Sequence, residues 1–379
     1  MGEDGFAMLN KNAALFEKID RGEELTLADL TTLLHMQEPE ELHRLFSAAY
    51  EVKKRHVGTT VYYRGIIEAG NICVKDCYYC GIRRSNSGVE RFLMDPEEIV
   101  REALWCYENH YGSLVIQSGE RQDGAFTDMI TGVIRRIRAA TEGKLGITLS
   151  LGEQSRRVYD EWFQAGAHRY LLRIETSNPA LYTELHPGDH SFSTRLAALR
   201  FLQEAGYQVG TGVMMGLPGQ TMEDLARDIL FLRDFDIDMV GMGPYIPHKD
   251  TPLGAECTGL REDEKKELLL LAKKMIALVR IVLNDVNIAA TTALQALKHD
   301  GREEGLLAGA NIIMPNVTKT DYRPHYQLYE NKPCIDENST MCRGCLEGRI
   351  GRIGETIGYD EWGDSPHFFR RSGRVSTHT

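Results

Sequence analysis

Val61-Tyr-Tyr-Arg-Gly-Ile-Ile-Glu68 runs directly into Ala-Gly-Asn71-Ile-Cys73-Val-Lys-Asp-Cys77-Tyr-Tyr-Cys80. The first half is β-branched and aromatic and reads as a buried strand; the second half is a loop holding three cysteines. Seven further short apolar runs follow: Ser113–Gln117, Gly146–Ser150, Arg169–Thr176, Gln208–Met215, Met239–Pro244, Asn287–Thr292 and Ala310–Met314. Amphipathic helical stretches alternate with them, which is the pattern of βα units on a parallel sheet. Eight units predict a closed (β/α)8 TIM-type barrel, with an open six-unit barrel as the alternative. The cysteine loop then falls after the first strand, at the face where barrels build their sites. The chain has 379 residues, more than the roughly 250 of a typical barrel. Residues 1–58 are expected to form an N-terminal helical extension, with helices over Glu24–Met36 and Pro39–Arg55. The barrel is expected over 59–320, a C-terminal cysteine-containing segment over 321–358, and a disordered tail over 359–379.

The loop spacing is Cys-x3-Cys-x2-Cys, with no fourth cysteine close by. A 4Fe–4S cubane usually takes four thiolates, so three leave one iron open to a small molecule. S-adenosylmethionine (SAM) can chelate that iron through its amino and carboxylate groups and be cleaved by one electron, chemistry that the cofactor carries and the protein positions. Cys73, Cys77 and Cys80 therefore read as the signature of a radical SAM enzyme, and Tyr79 as an aromatic packing near the adenine. A zinc knuckle completed by His56 or His110 is the competing reading, but the second short cysteine pair that such sites use is missing.

A formal net charge of -11 argues against a nucleic-acid partner. No signal peptide is evident, and the apolar stretch Leu268–Leu283 is broken by Lys273, Lys274 and Arg280, which predicts an amphipathic helix and no membrane span. Eight cysteines without a disulfide pattern point to metal ligation in a reducing, cytoplasmic compartment and to an anaerobic host.

Other residues gather where strands end. Ser118, Gly119 and Glu120 close the second strand: the glycine admits SAM's methionine end and the carboxylate can receive its ammonium. Along the fourth strand Arg169, Leu171, Arg173 and Glu175 share a face pointing into the barrel. They form either a polar cavity for SAM and an anionic substrate or an internal salt-bridge network. Gly216 and Gly219 permit a close approach to adenine or simply a turn, and Thr221 with Asp224 can form a capping box. Thr291, Thr292, Tyr322 and Tyr326 offer hydroxyls, although threonine is also a common strand residue. Cys106 reads as buried filler. Cys334, Cys342 and Cys345, spaced Cys-x7-Cys-x2-Cys, could hold an auxiliary iron–sulfur cluster (2Fe–2S or 4Fe–4S), with zinc competing.

Together these segments resemble the HydE family of FeFe-hydrogenase maturases, in the group that includes biotin synthase and methylornithine synthase. The resemblance spans about residues 20–350. It is carried by Arg64-Gly-Ile-Ile-Glu-Ala-Gly-Asn-Ile-Cys73, Cys77-Tyr-Tyr-Cys-Gly-Ile-Arg-Arg84 and Val115-Ile-Gln-Ser-Gly-Glu120. Leu149-Ser-Leu-Gly-Glu153, Arg169-Tyr-Leu-Leu-Arg173, Gly216-Leu-Pro-Gly-Gln-Thr221 and Gly243-Pro-Tyr-Ile-Pro-His248 extend it. Ala290-Thr-Thr292, Asn311-Ile-Ile-Met-Pro-Asn316 and Tyr326-Gln-Leu-Tyr329 complete it. The resemblance implies a closed internal cavity. Ser150, Glu175 and Arg195 would contact SAM, beside Arg173 of the fourth-strand reading, and Arg169, Thr291, Thr292 and Tyr326 would line the substrate end. Cys334, Cys342 and Cys345 match an auxiliary-cluster site found in some members. The implied role is maturation of the hydrogenase diiron site from an organometallic iron–cysteine species. The implied partners are the other maturases (a GTPase scaffold and a tyrosine lyase) and an electron donor. Ile174 and the charged stretch Thr258–Lys266 depart mildly from the family pattern. Methylornithine synthase is the nearest rival enzyme. Biotin synthase would need inner-strand cysteines for a second barrel cluster, and an iron–sulfur carrier would not need charges inside a barrel.

Overall fold

The computed structural model describes residues 3–255, 257, 259–336 and 339–374. The strands, in chain order, are β1 (Thr60–Gly70), β2 (Ser113–Ser118), β3 (Gly146–Ser150), β4 (Arg169–Leu171), β5 (Gln208–Thr211) and β6 (Met214–Met215). They continue as β7 (Met239–Val240), β8 (Gly243–Pro244), β9 (Asn287–Ala290), β10 (Ile312–Ile313) and β11 (Thr356–Ile357). Eight of them, β1-β2-β3-β4-β5-β7-β9-β10, are parallel neighbours in that order. β10 pairs back onto β1 through Tyr62↔Ile312 and Tyr63↔Ile313, which closes the (β/α)8 barrel. Each of the eight expected runs supplies one barrel strand. Two of them carry a second short piece: β6 and β8 pair with each other above β5 and β7.

Alternation explains what points where. On β1, Ile66 and Glu68 face the barrel interior, while Ile67 is fully buried against the outer helices. Leu114, Ile116, Ile147 and Leu149 are likewise fully buried, because helices cover the parallel sheet on its outside. Each such side chain contributes about 1.5–3 kcal/mol relative to exposure.

The helical extension forms over Glu3–Arg21, Leu27–His35 and Pro39–His56. Thr26 and Asp29 make a capping box at the start of the second helix, and Thr221 with Asp224 makes the anticipated one before Met222–Asp234. The extension packs on the barrel helix Glu262–Leu283, where the ammonium of buried Lys274 donates to the carbonyls of Leu34 and Met36. That helix is the amphipathic one anticipated over Leu268–Leu283, and among the described residues no helix is long and apolar enough to cross a membrane.

The end of the chain departs from expectation. Residues 359–374 are not a disordered tail but close the lower mouth of the barrel. Asp364 accepts from buried Arg169 at 2.7 Å, and Arg169 also donates to Trp362 O (2.7 Å) and Thr148 Oγ1 (3.1 Å). Gly363 O receives buried Arg64 (3.0 Å) and Asn287 (2.8 Å). The short helix Pro366–Ser372 is held by Arg371 on Asp238 (2.7 Å) and by His367 between Asp236 and Asp285. Gly112 permits this approach, since a Cβ there would lie 1.7 Å from Glu361 O. A hydrophilic sequence docks here because its polar atoms meet buried partners that the barrel leaves waiting.

Candidate active site

A cavity of about 320 Å³ opens at the C-terminal ends of the strands. Cys73, Cys77 and Cys80 lie along one wall, carried there by the loop after β1. The loop is fixed by backbone pairing to three segments: Val74 N to Glu120 O (2.9 Å), Tyr78 N to Leu185 O (3.0 Å) and Gly81 N to Leu328 O (3.0 Å). Asp76 ties it internally, accepting from Ser85 and pairing with Arg83 at 2.8 Å. Among the described residues no fourth cysteine lines the cavity.

Burial pushes all three thiols up, Cys77 to about 12. They therefore become thiolates only when a metal supplies the compensating charge. One device already anticipates that charge: the Glu120 N–H donates to Cys73 Sγ at 3.3 Å. Gly119 makes the close approach possible, because a Cβ there would sit 2.5 Å from Ile72 O.

Ser118, Gly119, Glu120, Ser150, Arg173, Glu175, Arg195 and Tyr79 all line this cavity beside the thiols. Glu175 has φ +67°, a left-handed backbone that costs a glutamate strain. The regular pairing of β4 ends at Leu171, because Ile174 N bonds the Thr211 hydroxyl (3.0 Å) in place of a ladder carbonyl. The expected eight-residue strand is thus short, yet Arg173 and Glu175 still face inward. Arg173 Nη2 stands 2.9 Å from Glu175 Oε2, while the buried Arg173 Nε makes no hydrogen bond. Such atoms are costly unless a ligand completes them. Three thiols with no fourth cysteine beside them among the described residues, next to an uncompleted guanidinium nitrogen, fit a site-differentiated cluster with SAM.

Glu120 is less free than the sequence suggests. It accepts from Glu153 N (2.9 Å) and Gln122 (3.0 Å) and lies 3.6 Å from Lys75. Glu153 in turn meets Lys75 (2.7 Å) and Arg195 Nε (2.5 Å). Burial, reinforced by Glu153, raises the Glu120 carboxyl, whereas Arg195 and Lys75 outweigh burial and hold Glu153 down. Lys75 and Glu153 were not singled out as site residues from the sequence, where nothing but position in a matched motif marks them.

Thr291, Thr292 and Tyr326 also line the cavity. Thr291 donates to Met242 O (3.1 Å), and Thr292 lies 3.1 Å from the Tyr329 hydroxyl. Buried Lys332 and Glu68, also missed, pair in the same lining, with Lys332 donating to Tyr326 O at 2.8 Å. Arg169 does not join them. It sits at the lower end of β4, away from the cavity, in the salt bridge with Asp364 described above. For Arg169, the alternative of an internal ion pair is the one that holds. Tyr322 stands outside too, donating to Glu98 at 2.6 Å. Cys106 is buried filler on its helix, as anticipated. Of the second cysteine group, Cys334 is half-buried and Cys345 exposed, while the Cys342 side chain lies outside the described residues.

Behind the cluster loop stand two buried histidines that the sequence did not flag, His186 and His190. Their ring nitrogens and Cys77 Sγ all lie within 4.8 Å of one another.

A barrel with three thiols and an open polar cavity at its upper mouth is the architecture of the radical SAM superfamily, whose family model matches residues 67–232. The solved structure of methylornithine synthase (PylB) superposes with a TM-score of 0.77 at 25% identity, covering 91% of this chain and 98% of that one. Among curated proteins, 3-methylornithine synthase of Methanosarcina acetivorans is 27% identical over 88% of this chain and 91% of its own. The [FeFe] hydrogenase maturase subunit HydE of Thermotoga maritima is 44% identical over 94% of this chain and 98% of its own. The chain belongs to the HydE family of radical SAM enzymes.

Proposed function

We propose that this enzyme matures the active site of FeFe-hydrogenase. The observation that carries the reading is the 44% identity to HydE across nearly the full length of both chains. When bound, the 4Fe–4S cluster and SAM together supply a 5′-deoxyadenosyl radical. The residues around them do the positioning. Cys73, Cys77 and Cys80 would hold the cluster. Ser118, Gly119 and the Glu120 carboxylate receive the methionine end of SAM. Ser150, Arg173, Glu175 and Arg195 bind its ribose and carboxylate, and Tyr79 packs against adenine. Thr291, Thr292 and Tyr326 face a small iron–cysteine organometallic substrate inside the cavity. Partners would be the other maturases and an electron donor, in a reducing cytoplasm. An auxiliary cluster on Cys334, Cys342 and Cys345 is compatible with this reading and is not required by it.

The test is hydrogen evolution from apo-hydrogenase, matured anaerobically with the other maturases and with no addition, this protein, or its Cys77→Ala variant. Activation that needs the wild type and fails with Cys77→Ala is expected. Equal activation without the protein would sink the reading. The likeness to methylornithine synthase makes lysine rearrangement the next assay in that event.

A further inference from the structure

The arch Leu185-His186-Pro-Gly-Asp-His190 lies against the cluster loop, and its two rings are held in opposite tautomers. His186 Nδ1 sits 2.7 Å from Tyr182 O, a pure acceptor, so that nitrogen carries the proton and Nε2 receives the Tyr79 hydroxyl at 3.3 Å. At His190 the logic reverses. The Asp76 backbone N–H points at His190 Nε2 from 3.3 Å, so that nitrogen is the acceptor and the proton resides on Nδ1. Nδ1 faces Cys77 Sγ at 3.9 Å, within reach of a hydrogen bond to sulfur. The Asp189 carboxylate approaches the same Nε2 at 3.5 Å, but it is largely exposed and belongs to the solvent side.

We propose that His190 is a positioning residue for the cluster, donating an N–H···S hydrogen bond to the Cys77 thiolate and thereby raising the cluster's reduction potential. The inference rests on the reading that Cys77 is a cluster ligand. Reduction adds one electron, taken from an external low-potential donor, and part of its charge spreads onto the ligand sulfurs. A donor aimed at one of them stabilises the reduced form more than the oxidised form. Backbone N–H groups do the same for the other two thiolates, Glu120 N on Cys73 and Ile82 N on Cys80, whereas Cys77 is addressed by side chains, Tyr79 and His190, that substitution can remove.

The experiment compares anaerobically reconstituted full-length wild type, His190→Phe and His190→Asn, without SAM. Iron content is measured first, then the midpoint potential by titration followed in electron paramagnetic resonance. The expected result is full iron loading throughout, a more negative midpoint in His190→Phe, and recovery toward wild type in His190→Asn, whose amide can donate. An unshifted midpoint in His190→Phe overturns the inference, as do equal shifts in the two variants, which would mark a volume effect. If neither variant takes up iron, the ring acts as scaffold and the hydrogen-bond account fails. A wild type that binds no four-iron cluster would overturn the cluster reading along with it.

Discussion

At the upper mouth of the barrel Arg173 stands 2.9 Å from Glu175, and at the lower mouth Arg169 stands 2.7 Å from Asp364. Both arginines come from one strand and its extension, on the same face. Their surroundings differ. The upper pair borders a cavity of about 320 Å³, whereas the lower mouth keeps about 20 Å³ beside Arg64, room for no more than a water. Below, the C-terminal segment fills the space that would otherwise admit a ligand. Buried charge alone therefore does not mark a site; buried charge beside unfilled volume does.

The lower pair should behave as structure. Asp364→Ala leaves Arg169 buried without its carboxylate, and the expected loss is about 3–5 kcal/mol of unfolding free energy, read by urea denaturation. A loss below about 1 kcal/mol, well under what a buried pair costs to break, would show that the plug is dispensable.

The pH dependence sharpens the same point. Burial, and then the Arg169 charge, hold the pKa of His168 down at about 4, against an ordinary 6.5. The unfolded chain takes up that proton as pH falls through 6.5, while the folded chain refuses it until about 4. Stability should therefore fall across that window, by on the order of 3 kcal/mol from this residue. Denaturation curves of wild type and His168→Gln at both ends of the window test it, and the variant should show the shallower decline. Parallel declines would remove His168 from the account.

The upper pair should behave as a binding site. Glu175→Gln keeps the volume and removes the charge, so SAM affinity should drop about tenfold to a hundredfold, with unfolding unchanged. Calorimetric titration of SAM into the reconstituted enzyme decides it; retained affinity with lost stability would reverse the comparison. The smallest effect is expected from Cys345→Ser. Cys345 is exposed and not part of the cavity, so 5′-deoxyadenosine formation should match wild type within error. A marked decrease would tie the second cysteine group to the reaction.

The eight strand runs and the three cysteines could be read directly, because alternation and ligand spacing are local properties of a sequence. Arg173 and Glu175 were legible for the same reason. Arg169 was misplaced because alternation assigns a face and not a depth, and its partner Asp364 lies far along the chain. The last segment was misread because its polar composition resembles disorder; only the tertiary structure supplies the buried guanidiniums and carboxylates that bind it. His186, His190, Lys75, Glu153 and Lys332 carry no spacing signal at all. They reach the site from four separate segments, His186 and His190 sharing one arch, and nothing short of the fold brings them together.

The lower plug also orders events in time. Translation delivers Arg64 and Arg169 long before Asp364, Gly363 and Trp362, so the nascent barrel holds two cations facing an open mouth until those residues leave the ribosome. The helix Pro366–Ser372 can dock only after those residues emerge, and a premature stop after residue 358 would leave every strand among the described residues present and the barrel uncorked.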